Sequence, residues 1–255
     1  MSSEKAKRSA ALHAGDVEQR YLVNTGYRDR YRAILEEQLP LSLKPFAGFF
    51  SNLKRLVTMS EMLDKHVGAH SKTILNAGSG TFAAEIFSSG FQNRQITSFD
   101  YTEAFADLYP VFRAEGHLST TTFARADANT VTFPAESFDL IVFHDIFYES
   151  ALNIPDVLFR YRDFLKPGGY VFLDFMNMDT ALLWRLIGKE RQYKRYSRAQ
   201  IDKALHDSDL ELLEIRRSSG SSNRAVIFLN WALWTFFRTS NAFAVMARKR
   251  HAGAG

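Results

Sequence analysis

The 255-residue chain contains no cysteine. That excludes disulfides, thiolate metal ligands and a cysteine nucleophile, and no metal centre is expected. Long apolar runs are also missing. The stretch Ala225–Phe237 carries no charged residue, yet its thirteen positions are too few to span a bilayer, so no stable membrane insertion is expected. No apolar segment follows the first basic residues, Lys5, Lys7 and Arg8, which argues against a secretory signal and makes the cytoplasm the expected compartment. The formal charge is only +4, and basic residues gather at the two ends (Arg248, Lys249 and Arg250 at the second) with no stripe along a folded face. Nucleic acid is therefore not an expected partner. Internal repeats and low-complexity linkers are absent as well.

What is present is the composition of a soluble globular protein, 46% hydrophobic and 24% charged, with length for one large domain or one domain and an appendage. Residues 1–14 are polar or small and are expected to be a disordered tail. Residues 15–70 read as two helices, Asp16–Gln38 and Phe46–His66, separated by a break between Pro40 and Pro45 and stopped at Gly68. They precede any strand and are expected to cap one end of a sheet. Residues 71–255 alternate between the two periodicities. Strands are expected at Thr73–Ala77, Gln95–Phe99, Thr121–Arg125, Phe138–Phe143, Tyr170–Phe175, Leu210–Arg216 and Ala242–Ala247. Helices are expected at Ala83–Ser89, Thr102–Gly116, Ile154–Leu165, Thr180–Ile187 and Ser197–Asp207. Such alternation implies a doubly wound α/β domain with parallel strands and helices on both faces.

The chain is organised around Ile74-Leu75-Asn76-Ala77-Gly78-Ser79-Gly80-Thr81-Phe82, a buried strand running into a glycine-spaced turn and a helix start. Glycines let backbone approach a ligand with no Cβ in the way, and a helix start offers free N–H groups. In doubly wound sheets ligands bind beyond the carboxyl ends of the strands. Asp100 follows the second strand, twenty residues beyond Gly80, where a carboxylate can accept from both hydroxyls of a ribose; a helix N-cap is its plainer use. Asp127 follows the third strand, where it could accept from an exocyclic amine or simply serve a turn. His144, Asp145, Tyr148 and Glu149 follow the fourth.

The glycine segment, Phe99-Asp100, Ala126-Asp127-Ala128, Phe133-Pro134 through Ser137-Phe138-Asp139 to Val142, and Leu165-Lys166-Pro167-Gly168-Gly169-Tyr170 occur in order and at fitting spacing. Together they resemble class I S-adenosylmethionine-dependent methyltransferases, most nearly the branch holding quinone-biosynthesis enzymes and many small-molecule enzymes. The resemblance implies a Rossmann-like seven-stranded sheet whose last strand inserts antiparallel between the fifth and sixth. It also implies S-adenosylmethionine as cofactor. Asn76, Ala77, Gly78, Ser79 and Gly80 would lie against its amino-acid and ribose parts, Asp100 would take the ribose hydroxyls and Tyr101 would pack near the adenine. Asp127 would reach the adenine amine, Ala128 would offer a backbone N–H, and His144 would line the methionine side. Two positions depart from the family pattern: Asn76 stands where an acid is usual, and Phe82 where a third glycine is.

The expected activity is methyl transfer to a small molecule, apolar or ring-containing. Alignment of the acceptor would dominate, with base assistance from His144, or from Asp145, Tyr148 or Glu149, where a proton must leave. The aromatic insert 223–241, with Trp231 and Trp234, is expected either to bury itself or to roof the substrate, and Tyr27 is a further substrate-side candidate. Two other readings compete: a non-catalytic S-adenosylmethionine-binding or partner protein, suggested by Asn76 and Phe82, and a nicotinamide-dependent oxidoreductase, which the glycine spacing and the Pro167-Gly168-Gly169 turn fit poorly.

Overall fold

The computed structural model describes residues 17–147, 151–178, 194–218, 224–237 and 239–250. Eight strands form one sheet: β1 (Thr73–Ala77), β2 (Gln95–Asp100), β3 (Thr121–Arg125), β4 (Phe138–Phe143), β5 (Leu165–Asn177), β6 (Arg195–Tyr196), β7 (Leu210–Arg217) and β8 (Ala242–Lys249). The order is β3-β2-β1-β4-β5-β8-β7, with the short β6 paired to β5. β1 to β5 run parallel, and β8 lies antiparallel to both β5 and β7. The doubly wound Rossmann-like sheet with an antiparallel last strand is therefore present; the eighth strand, β6, is an addition to the expected seven.

The order reverses between β1 and β4, which sets the switch point beside the glycine turn. β1 is buried along nearly its whole length, as a central parallel strand must be. Its side chains divide between two cores. Ile74 joins one face with helices α1 (Arg28–Gln38) and α2 (Lys54–His66), while Leu75 and Ala77 join the other. On that second face lie α5 (Ile154–Tyr161) and α6 (Arg198–Asp207), the latter started by a Ser197–Gln200 capping box.

The N-terminal helices do more than cap an end. Tyr31, Ile34, Met59 and Leu63 pack along a face of the sheet, and the start of α2 reaches the carboxyl edge of the strands. The expected single helix over Asp16–Gln38 is broken at Asn24, whose backbone is left-handed and whose Nδ2 donates to the Ile86 carbonyl at 2.8 Å. The second is broken at Ser51–Leu53; α3 (Ala83–Phe87) leads into β2, and the helix expected after β2 is broken at Asp107 into one helical turn at Glu103–Ala106 and α4 (Leu108–Ala114). The tail 1–14 and the helix expected at Thr180–Ile187 fall outside the described residues.

At the opposite edge the Phe138-Asp139 and Lys166-Pro167-Gly168-Gly169 segments lock together. Asp139 accepts from the backbone N–H groups of Lys72 (2.8 Å) and Thr73 (2.9 Å), from Thr73 Oγ1 and from Lys166 Nζ at 2.9 Å. A Cβ on Gly169 would stand 2.9 Å from the Lys166 carbonyl oxygen and 3.2 Å from that of Asp139, so only glycine lets β5 close on β4 there. Although burial works against it, the Lys166 ammonium and the backbone donors hold the Asp139 carboxyl at about 2. A depressed carboxyl stabilises the fold above its unfolded value of about 4 and loses that contribution as pH falls toward 2. Asp139→Asn should therefore cost about 1–2 kcal/mol at neutral pH. Urea titrations from pH 7 to pH 2 should show the gap to the unmodified protein narrowing below about pH 4.

Candidate active site

The carboxyl edges of β3, β2, β1 and β4 bring Asp127, Asp100, the glycine turn and His144 to four adjacent strand ends. The turn is built on left-handed Gly78 (φ 69°) and Gly80 (φ 54°), which glycine adopts without strain. Gly78 and Ser79 donate their N–H groups to the Phe99 carbonyl at 2.9 and 3.0 Å. Ile146, just past His144, packs so closely over Gly78 that a Cβ there would lie 2.7 Å from its Cδ1, while a Cβ on Gly80 would meet open space.

Asp100 ties this turn to the next one. Its Oδ2 accepts from Gly80 N at 3.0 Å and its Oδ1 from Thr102 N at 2.8 Å. The N-cap-like use and the ligand-facing use are thus compatible, because two carboxylate oxygens offer about four lone-pair sites. Tyr101 beside it is exposed. Asp127 is exposed and accepts from Asn129 N at 2.7 Å. Ala128 is buried, and its carbonyl accepts from the Tyr161 hydroxyl at 2.9 Å and from Arg160.

The two departures from the family pattern have structural explanations. Asn76 is buried, and its Nδ2 donates to Glu85 Oε1 at 2.8 Å, which Ser98 Oγ also contacts at 2.6 Å. A carboxylate accepts only, so the amide turns its oxygen the other way. Asn76 Oδ1, and Ser79 Oγ in the turn itself, have no hydrogen-bond partner among the described residues. The acid missing at position 76 stands behind it, at Glu85, whose carboxyl burial pushes above its ordinary range while Ser98 and Asn76 pull it back.

Phe82 occupies a left-handed position (φ 61°) that a third glycine would take freely, and its ring is fully buried against Phe123 and Tyr109 at centroid distances of 5.2 and 5.8 Å. Left-handed backbone costs a bulky residue about 1–2 kcal/mol. Losing a buried phenylalanine ring costs about 3–5 kcal/mol, so burial wins. Nearby, the buried Tyr31 hydroxyl donates to Thr81 Oγ1 at 2.6 Å and so pins α1 to the turn.

A buried ionic cluster closes the β4 side. Arg55, at the start of α2, pairs with Asp145 and, at 2.6 Å, with Asp174 Oδ2 on β5, while Asp145 N donates to Asp174 Oδ1 at 2.9 Å. His144 Nε2 lies 3.9 Å from Asp174 Oδ2, too far for a hydrogen bond, and has no partner among the described residues. Burial pushes the Asp145 carboxyl above its ordinary range, with Arg55 pulling the other way and Asp174 pushing with it. The sequence reading missed Arg55, Asp174 and Glu85. The available signal was charge on apolar surfaces: an aspartate inside Tyr-Val-Phe-Leu-Asp-Phe, and an arginine in register with Met59 and Met62.

Of the other candidates, Tyr148 and Glu149 lie outside the described residues. Tyr27 packs on His117 at 4.1 Å, and burial pushes its hydroxyl up to about 12. Trp234 packs toward the core, whereas Trp231 is exposed. A separate cavity of about 390 Å³, between Lys65, Ser71, Lys166 and Tyr170, opens at the other end of the strands, away from these groups.

Residues 74–169 match the family described as a methyltransferase domain. No curated protein matches the sequence. Among solved structures, an S-adenosylmethionine-dependent methyltransferase from Methanosarcina mazei is similar at 16% identity and TM-score 0.55, over 75% of this chain and 98% of its own. The Burkholderia thailandensis 1,6-didemethyltoxoflavin-N1-methyltransferase, with 1,6-didemethyltoxoflavin and S-adenosylhomocysteine bound, aligns at 16% identity and TM-score 0.54, over 77% and 78%. The [4+2]-cyclase SpnF aligns at 15% identity and TM-score 0.56, over 76% and 81%.

Because burial outweighs strain at position 82, Phe82→Gly should destabilise the protein by about 2 kcal/mol even though it restores the commoner residue. Chemical denaturation checks this, and a stabilised variant would contradict it. Residues 74–169 thus match a methyltransferase-domain family, within a chain whose Rossmann-like fold is shared with solved S-adenosylmethionine-dependent methyltransferases.

Proposed function

We propose that the protein binds S-adenosylmethionine at the β1–β2 edge and transfers its methyl group to a small, apolar or ring-containing acceptor. The observation that carries this reading is the glycine turn itself. Two buried polar atoms, Asn76 Oδ1 and Ser79 Oγ, lack partners among the described residues, beside a carboxylate already clamped in place by Gly80 and Thr102. Buried polar atoms are rarely left unmatched unless a ligand or water completes them. In this reading Asp100 takes the ribose hydroxyls with its remaining lone pairs, Tyr101 flanks the adenine and Asp127 accepts from the exocyclic amine. Ala77, Gly78 and Gly80 supply close backbone approach, and Ala128 supplies its N–H. Asn76 offers the ammonium a neutral acceptor whose direction Glu85 sets.

The cofactor when bound supplies an electrophilic methyl group on a sulfonium, so the chain's own contribution is mainly alignment. Where the acceptor must lose a proton, His144 is the residue to take it. Its Nε2 has no hydrogen-bond partner among the described residues, whereas Asp145 is engaged by Arg55. Tyr148 and Glu149, the other candidates, lie four and five residues further along the chain from His144. Trp234 is assigned to the acceptor side, whereas Tyr27 packs on His117 ahead of β3, away from this edge; the resemblance to the quinone-biosynthesis branch favours an acceptor with a ring. The Burkholderia neighbour, bound to 1,6-didemethyltoxoflavin and S-adenosylhomocysteine, offers a precedent within the same fold.

Calorimetric titration tests the proposal. S-adenosylmethionine and S-adenosylhomocysteine should both bind, and Asp100→Ala should weaken each at least about tenfold, the equivalent of about 1.4 kcal/mol from lost charge-assisted bonds. Absence of binding by either compound at millimolar concentration would contradict it.

A further inference from the structure

Helix α7 (Arg224–Phe237), which joins β7 to β8, has two unlike sides. Trp234 turns toward the core, with the Arg217 guanidinium 5.5 Å from its ring centroid. On the other side Phe228 is 66% exposed, Trp231 52% and Phe236 70%. These rings contact one another, Phe228 with Trp231 at 5.6 Å and Trp231 with Phe236 at 6.5 Å. Exposed Thr235 is the polar residue between them. A contiguous aromatic face of this kind marks an interaction surface.

The charge around it selects the occupant. Between Ile215 and the start of β8 at Ala242 the sequence has no Asp or Glu, yet it holds Arg216, Arg217, Arg224 and Arg238, of which Arg216 is paired with Glu61 and Glu214. That segment therefore carries a formal +4. Arg216 and Arg217 precede α7, Arg224 begins it and Arg238 follows it directly in sequence. A second copy docked on the same face would set two such segments against each other, which like-charge repulsion disfavours. An anionic lipid surface answers both features: tryptophan and phenylalanine settle at the headgroup boundary, and arginines meet the phosphates. The helix has fourteen residues, about 21 Å at 1.5 Å each, too short to cross a hydrocarbon core of about 30 Å. Among the described residues, no helix is long and apolar enough to do so.

We propose that α7 docks the protein in the plane of an anionic membrane surface, with Phe228, Trp231 and Phe236 seated among the lipids. β8 starts at Ala242, opposite Met176 near the carboxyl end of β5, so docking would turn the His144 edge of the sheet toward the membrane. The surface stands independently of the methyltransferase reading, although it would suit an acceptor dissolved in lipid.

Flotation with the full chain, without cofactor, tests it. The probes are vesicles of phosphatidylcholine alone and vesicles in which part of the lipid is phosphatidylglycerol. Binding to the anionic vesicles should be at least about tenfold tighter, and raised salt should weaken it. The triple variant Phe228→Ser/Trp231→Ser/Phe236→Ser should lose at least about tenfold in partitioning, with an unchanged melting temperature because these side chains face solvent. Should that variant fail to fold, Trp184→Phe/Trp234→Phe leaves Trp231 as the sole tryptophan, and its emission should shift to the blue on anionic vesicles. No vesicle association at low salt, undiminished binding by the folded triple variant, or an unshifted Trp231 would each overturn the proposal. So would a lipid-free dimer that the triple variant dissolves.

Discussion

Asp100 is the residue on which the candidate site depends. One carboxylate holds Gly80 N at 3.0 Å and Thr102 N at 2.8 Å, and so fixes the turn after β1 and the turn after β2 relative to each other. A glycine turn is otherwise free to take many conformations, since glycine loses more backbone entropy on ordering than any other residue. The Phe99 carbonyl, which takes both Gly78 N and Ser79 N, completes the restraint. The turn is therefore organised before any ligand arrives. What remains open is directed space: no contact above Gly80, and unmatched oxygens on Asn76 and Ser79.

Around that restraint, both departures from the family pattern are absorbed by neighbours. An asparagine replaces an acid at position 76, but Glu85 and Ser98 orient it, so the direction of the acceptor is kept while its full charge is not. At position 82 a phenylalanine accepts left-handed strain in exchange for a fully buried ring. On the β4 side, Arg55 is the cation between Asp145 and Asp174 and so joins an N-terminal helix to the carboxyl edge of the sheet. Buried carboxylates of this kind are tolerated only when paired, which makes α2 part of the site and not a separate cover.

Much of this was legible from the amino acids. Apolar runs ending in glycine or aspartate located the strand edges, their alternation with helices predicted a doubly wound sheet, and its antiparallel last strand was implied by the family resemblance that five short motifs carry. The continuity of the helices was not legible. Asn24 breaks one by bonding to the Ile86 carbonyl, a partner sixty-two residues away that local pattern cannot reveal. β5 runs longer than its apolar stretch because Gly169 allows close approach to β4 through a segment that reads as a turn. Arg55, Asp174 and Glu85 escaped notice for a related reason: each is a lone charge in an apolar pattern, and only the fold brings its partner near. Trp231 and Trp234, taken together in the sequence, differ in the structure: Trp231 is exposed and Trp234 packs toward the core.

The central claim is that the turn from Asn76 to Gly80 and the Asp100 carboxylate form one nucleoside-cofactor cradle. A crystal structure of the complex with S-adenosylhomocysteine tests it most directly. The account predicts ribose hydroxyls on Asp100, the adenine beside Tyr101 and Asp127, and new hydrogen bonds to Asn76 Oδ1 and Ser79 Oγ. Ligand density elsewhere, as in the cavity between Lys65 and Lys166 at the far end of the strands, would contradict it.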